Sequence, residues 1–169
     1  MVFNIFLLNL HPQMRRTPII PVIIGTGFGS GFWPWGPGTA GALLATLIWI
    51  GLSYLIVTPY LTCITALLIA TFTVLGIWAT SKLMPFWGDD PNRVVIDEMV
   101  GVWIPLLVSP AGDLYYAIGS FLLFRFFDIL KPLGIRRIDN CRGAFYVMAD
   151  DIVAGIYSLV IISIARWVI

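Results

Sequence analysis

Long apolar stretches without charge are the feature that most restricts what this sequence can fold into. Residues 40–58 and 61–81 contain no charged side chain, and each reaches the roughly 20 residues that a helix needs to cross a bilayer core of about 30 Å. Three further apolar stretches follow at residues 99–109, 114–124 and 152–169. We therefore predict an all-α, polytopic membrane helical bundle with four to five hydrophobic spans and re-entrant or interfacial polar loops.

The composition excludes an ordinary soluble domain. Charged residues make up 11 % of the 169-residue chain, whereas soluble domains carry about 25 %, so too few charges remain to cover a water-facing surface. The net charge of +1 argues against a nucleic-acid partner, because no basic stripe is present to replace phosphate counterions. The length suits a single membrane-embedded domain that includes residues 1–169.

Basic residues are concentrated on one side of the predicted membrane. If all five stretches cross, the segments before residue 40, at 82–98 and at 125–151 share one face, and they contain nine of the ten Lys and Arg residues. By the positive-inside tendency this face is cytoplasmic. Residues 1–10 are apolar, but arginines follow rather than precede them, so we predict a retained interfacial segment there. The third stretch contains Pro105, and the sequence leaves open whether it crosses fully.

Two pairs of adjacent carboxylates lie at junctions between polar loops and apolar stretches. Asp97 and Glu98 precede the third stretch, and Asp150 and Asp151 precede the last. A helix N-terminus favours acidic residues, so either pair alone is explained equally well as a helix cap. Two pairs on one face instead indicate a metal site formed by all four residues. Because the cluster contains oxygen ligands and no His or Cys, Mg²⁺ is the expected ion, with Mn²⁺ as a substitute.

A basic and acidic triplet marks the end of the fourth stretch. Arg125, Asp128 and Lys131 follow one another at intervals of three residues, which places them on roughly one helix face. One interpretation is a structural ladder of salt bridges. The alternative is catalytic: Arg125 and Lys131 bind a substrate phosphate while Asp128 assists the metal.

The first long stretch begins with a glycine-rich segment that includes Gly38 and Thr39. We predict Thr39 as a helix N-cap, and a helix N-terminus offers free N–H groups to an anion such as phosphate. Ordinary capping explains the segment equally well. His11 is the only histidine, and no Cys-x5-Arg motif is present, so mechanisms through phospho-His or phospho-Cys lack their nucleophile.

Five motifs together resemble the phosphatidylglycerophosphatase A family over about residues 22–160. They are GFGSG at 27–31, PGTAG at 37–41, IDEMVG at 96–101, FRFFDILKP at 124–132 and DDIVAG at 150–155. The resemblance implies a Mg²⁺-dependent phosphatase, located in the bacterial inner membrane, that converts phosphatidylglycerophosphate to phosphatidylglycerol. The expected partner is then a phospholipid in the bilayer, and we expect a multi-pass protein with its active site on the cytoplasmic face.

The predicted site combines these motifs. The predicted catalytic residues are Asp97, Glu98, Arg125, Asp128, Lys131 and Asp151, and the predicted phosphate-binding residues are Gly38, Thr39, Arg125 and Lys131. Two other functions stay open. A CDP-alcohol phosphatidyltransferase also uses membrane-helix aspartates, but its DxxDGxxAR…GxxxDxxxD spacing is absent here. A small cation transporter would place its carboxylates at mid-span, whereas these lie at span ends. The nucleophile, the number of metal ions, the acyl-chain preference and the oligomeric state do not follow from the sequence.

Overall fold

A computed structural model describes residues 17–132 and 134–168; the interfacial segment predicted for residues 1–10 lies outside them. Within this part of the chain there are seven α-helices, one short 3-10 turn at Ser30–Phe32 and no β-strand. The all-α prediction is therefore confirmed. The helices are α1 (Ile19–Gly25), α2 (Pro37–Leu55), α3 (Thr58–Trp87), α4 (Ile96–Leu106), α5 (Leu114–Leu130), α6 (Ile135–Asp139) and α7 (Ala144–Val168).

Among the described residues, three helices are long and apolar enough to cross a membrane. They are α2, α3 and α7, with 19, 30 and 25 residues. With 11 and 17 residues, α4 and α5 extend about 17 and 26 Å at the helical rise per residue. The prediction of four to five spans with re-entrant loops is thus supported for three spans, and the higher number stays a prediction.

The short helix α4 forms the centre of the bundle. Every residue of α4 except Glu98 is buried, as expected for a helix that is apolar all round and enclosed by others. Glycines allow α7 to approach it closely, since a Cβ atom on Gly155 would collide with the carbonyl oxygen of Gly101. On another side, Trp103 Nε1 donates a hydrogen bond of 3.0 Å to the carbonyl oxygen of Ala45 in α2. These contacts fix the position of α4 between α2 and α7.

Hydrogen bonds between loops and helix ends close the end of the bundle opposite the first turn of α4. Arg166 Nη1 in the last turn of α7 donates to the carbonyl oxygen of Val108 at 2.8 Å. The backbone N–H of Ala111 donates to Thr58 Oγ1 at 3.3 Å, and the Asp113 side chain caps α5. The start of α4 and the end of α5 therefore lie at the other end, together with the start of α2.

Three helix ends differ from those that the sequence indicates. Pro59 directly follows the apolar stretch at 40–58 in sequence, but it lies in the first turn of α3, where its missing N–H costs nothing. The same helix continues past Lys82 to Trp87. Thr39 is not an N-cap: Gly36 holds that position, without a side-chain cap, and Pro37 begins α2.

Candidate active site

A polar cavity of about 620 Å³ opens at the end of the bundle where α4 begins. Its wall combines the first turns of α2 and α4, the loop after α3, the end of α5, α6, and the N-terminal part of α7. Eight of the nine residues that the sequence predicts for the site line this cavity. They are Gly38, Asp97, Glu98, Arg125, Asp128, Lys131, Asp150 and Asp151.

Three carboxylates meet in the floor of the cavity. Asp97 and Glu98 lie in the first turn of α4, and Asp151 extends from α7. Each offers one oxygen atom, and these three atoms lie within 4.8 Å of one another. Asp97 and Asp151 are buried, and Glu98 Oε2 has no hydrogen-bond partner among the described residues. Buried like charges at this separation repel strongly, and an oxygen-only donor set of this kind fits a hard divalent cation such as Mg²⁺.

The fourth predicted ligand, Asp150, has a different partner. Its Oδ2 atom accepts a hydrogen bond of 2.6 Å from Lys131 Nζ, and the same ammonium group also donates to Asp139 Oδ1 in α6. Burial alone would lower the pKa of Lys131, but the bonds to Asp139 and Asp150 outweigh it and raise the pKa above its usual value. Lys131 therefore stays charged and pairs with Asp150, which is not one of the three clustered carboxylates.

The predicted ladder along α5 is only half formed. Arg125 Nη1 donates to Asp128 Oδ2, one turn further along the helix. Lys131 does not continue this ladder but pairs with Asp139 and Asp150. Arg125 Nε is buried without a hydrogen-bond partner among the described residues, so the guanidinium group has a donor that none of them uses.

The start of α2 closes the cavity beside these charges. A Cβ atom on Gly38 would collide with Glu98 Oε1 and would lie 3.3 Å from Arg125 Nη1, so only glycine lets α2 approach so closely. The first N–H groups of a helix have no acceptor within the helix, and here they point towards the polar end. Thr39 is exposed and does not line the cavity; it lines an adjacent apolar groove. The structure thus does not bring its side chain to the predicted phosphate site.

Sequence reasoning assigned no role to several other residues that line the cavity. Asp139 is the clearest case, because its bond to Lys131 joins α6 to the end of α5. Its acidic side chain among the arginines of residues 136–142 was the available signal. Asp89 and Arg142, both exposed, form an ion pair of 3.6 Å at the cavity wall. At such exposure the pair contributes little to stability.

The geometry of the cavity does not by itself identify the protein family, but comparison with known proteins does. The family model of phosphatidylglycerophosphatase A matches residues 23–166. The chain belongs to the phosphatidylglycerophosphatase A family. It is therefore an enzyme, a phosphatase, and the five motifs from which the resemblance was inferred all lie inside the matched region.

Curated relatives of this family cover most of the chain. A protein of Bacteroides thetaiotaomicron, named as a candidate phosphatidylinositol-3-phosphatase, is 57% identical over 158 residues, which are 92% of this chain and 99% of the relative. The phosphatidylglycerophosphatase A of Haemophilus influenzae is 35% identical over 94% of this chain and 98% of its own length. For that of Escherichia coli the identity is 34%, over 80% of this chain and 77% of the relative. No solved structure gives a significant match.

Proposed function

We propose that this protein removes the terminal phosphate of phosphatidylglycerophosphate and releases phosphatidylglycerol and inorganic phosphate in a Mg²⁺-dependent reaction. The observation that carries the proposal is the meeting of Asp97, Glu98 and Asp151 beside Arg125 in one cavity. Family membership supports the reaction class, and two relatives bear the name phosphatidylglycerophosphatase A. A phosphatidyltransferase or a cation transporter receives no support from these relatives.

In the proposed site, Asp97, Glu98 and Asp151 hold Mg²⁺. When bound, Mg²⁺ would supply Lewis-acid chemistry to the transfer of the phosphoryl group. Arg125 lines the cavity and neutralises charge on the phosphate, while Asp128 fixes the orientation of its guanidinium group. The free N–H groups at the start of α2 offer further donors to the phosphate.

Lys131 has a supporting part in this proposal. Its ammonium group is bound by Asp139 and Asp150, so it contributes positive charge to the cavity from a fixed position. The pair of contacts also ties α6 and α7 to the end of α5. Lys131 thus stabilises both the electrostatic environment of the phosphate and the shape of the cavity wall.

The location of the site agrees with a lipid substrate. The cavity lies at the ends of α2, α3 and α7, the three candidate spans, where the phosphate of a membrane lipid would lie. We place this end on the cytoplasmic face of a bacterial inner membrane, because the neighbouring loops contain most of the basic residues. In this arrangement α4 and α5 complete the crossings.

A second candidate substrate is phosphatidylinositol 3-phosphate. The relative from Bacteroides thetaiotaomicron, at 57% identity, is named for activity on that lipid. Both lipids present a phosphate monoester on a headgroup, and the same carboxylates and Arg125 would serve either. The two candidates therefore differ in the headgroup that the cavity accepts and share the phosphate chemistry.

Direct competition between the two lipids tests the proposal. Detergent-purified protein with Mg²⁺ is offered each lipid separately and then both at equal concentration, and phosphate release is measured. We expect a higher kcat/KM for phosphatidylglycerophosphate, with Asp97→Asn as the inactive control. A higher kcat/KM for phosphatidylinositol 3-phosphate would replace the first substrate by the second. Release from neither lipid would overturn both.

A further inference from the structure

An apolar groove adjoins the polar cavity on the outer side of α2. Trp33 and Trp35, just before the helix, form one part of its lining, and Leu43 and Leu47 on the helix form another. Its volume is about 370 Å³, and no charged residue lines it. Gly36 lines both the groove and the polar cavity. The two spaces therefore meet at this residue.

The groove runs along α2, parallel to the path of an acyl chain beside a membrane-spanning helix. Thr39, Leu43 and Leu47 all line it, and their spacing of four residues places them in one stripe along α2. The stripe extends about 12 Å from the polar end into the candidate span. Leu43 and Leu47 are 46% and 55% exposed, so their side chains are available to an apolar ligand.

The residues at the mouth of the groove fit the level of the lipid headgroup. Trp33 and Trp35 pack edge to face with 5.9 Å between ring centroids, and Trp35 is 87% exposed. Tryptophan is enriched at this level of membrane proteins because one end of the ring is apolar and the other polar. Gly36 has a φ of 155°, a conformation that favours glycine, so this shared position places no side chain between the groove and the cavity.

We infer that the groove binds the upper part of one acyl chain of the phospholipid substrate while the phosphate occupies the polar cavity. This inference rests on the proposed function, because it assigns the groove to the lipid whose phosphate is removed. The continuity at Gly36 places one molecule in both spaces. Trp33 and Trp35 then contact the region where the chain joins the headgroup.

Filling the groove tests this inference. Leu43→Trp and Leu47→Trp add bulk inside it, and Ile48→Trp is the matched control, since Ile48 is also exposed on α2 but does not line the groove. In mixed micelles of diacyl phosphatidylglycerophosphate, KM should rise about tenfold for the two groove variants, the effect of losing the burial of about two methylene groups. Their kcat should stay within about twofold of the wild type, because the carboxylates are untouched. Inhibition by orthovanadate, which needs only the polar cavity, should be unchanged.

Several results would overturn the groove assignment. An unchanged KM in both groove variants, or an equal rise in Ile48→Trp, would show that the groove does not bind the substrate chain. A parallel loss of orthovanadate inhibition would place the effect in the polar cavity. If either Trp variant does not fold, Leu47→Ser removes the apolar wall without added bulk and should raise KM in the same way. Failure of the proposed function looks different, because the wild type itself would then release no phosphate from the diacyl lipid.

Discussion

The two acidic pairs look alike in sequence but have different surroundings in the folded protein. Asp97 and Glu98 lie in the first turn of α4, and both join the three-carboxylate cluster. Asp150 and Asp151 lie nearly two turns inside α7, which begins at Ala144. Only Asp151 joins the cluster there, because Asp150 is bound to Lys131.

This difference shows what a helix cap can and cannot explain. Acidic residues in the first turn of α4 interact favourably with the helix dipole, so capping contributes to the position of Asp97 and Glu98. The dipole effect falls off within the first turn, and it therefore does not explain buried carboxylates further along α7. Asp151 consequently provides the stronger argument for a bound cation, and Asp150 provides a built-in comparison for it.

Metal removal is expected to have the largest effect. If the three carboxylates hold Mg²⁺, EDTA should abolish phosphate release, and added Mg²⁺ or Mn²⁺ should restore it. The measurement is turnover by detergent-purified protein, with elemental analysis of the chelated sample. Full turnover in a sample without residual metal would contradict the metal site.

Removing one cluster charge should be nearly as damaging. Asp97→Asn and Asp151→Asn keep the size of the side chain but lose the charge that a hard cation requires. Each should lower turnover by at least about 100-fold, the effect of losing one strong electrostatic contact in other enzymes. The variants should fold, because one fewer buried negative charge reduces repulsion in the metal-free protein. Near-normal turnover at a matched Tm would contradict the role of Asp97 and Asp151 as metal ligands.

Arg125→Lys should have an intermediate effect. Lysine keeps the positive charge, but it lacks the planar group that can bind Asp128 and a phosphate oxygen at the same time. We expect turnover to fall about 30-fold, short of the roughly 100-fold for loss of a whole electrostatic contact. The variant should lose affinity for orthovanadate in parallel. Unchanged kinetics would assign Arg125 to a structural ion pair alone.

The sequence predicts most of the fold because few backbone structures are stable in the hydrocarbon core of a bilayer. Uncharged stretches as long as those at 40–58 and 61–81 must satisfy their backbone groups internally, and α2 and α3 cover these stretches. Boundaries were less predictable, because Pro59 is acceptable both after one helix and in the first turn of the next. The number of crossings depends on α4, and the burial of all its residues except Glu98 by neighbouring helices is a tertiary property.

Most residues of the site could be predicted from the sequence, but which of their side chains pair with one another could not. Charges are costly inside a membrane, which explains why the seven charged residues predicted for the site share one cavity at the polar end. Lys131 pairs with Asp139 because α6 folds back beside the end of α5. The spacing of the two residues in the sequence does not predict this contact. The side of α2 on which Thr39 lies likewise depended on the helix beginning at Pro37.

Asp150→Asn tests the comparison between the pairs directly. The substitution weakens one of two contacts to Lys131, while Asp139 keeps the other, and it leaves the three-carboxylate cluster complete. We expect turnover to fall about tenfold, in line with the loss of one hydrogen bond to a charged group, and the Mg²⁺ concentration for half-maximal activity should change little. A loss as large as that of Asp151→Asn, with weakened Mg²⁺ dependence, would make Asp150 a fourth ligand.

The smallest effect should come from Arg136→Ala. Arg136 is exposed on α6 and does not line the cavity. Its Nη2 atom donates a long hydrogen bond of 3.4 Å to the carbonyl oxygen of Leu130. Its charge fits the positive-inside pattern of the loop. Because exposed charges contribute little to the stability of a protein, turnover should stay within about twofold of the wild type. Lys131→Ala is the matched comparison, because it removes a positive charge nearby that contacts Asp139 and Asp150. If both variants lose the same share of turnover, at matched expression and Tm, then activity depends on the total positive charge of this face. The contacts of Lys131 with Asp139 and Asp150 would then have no specific role in turnover.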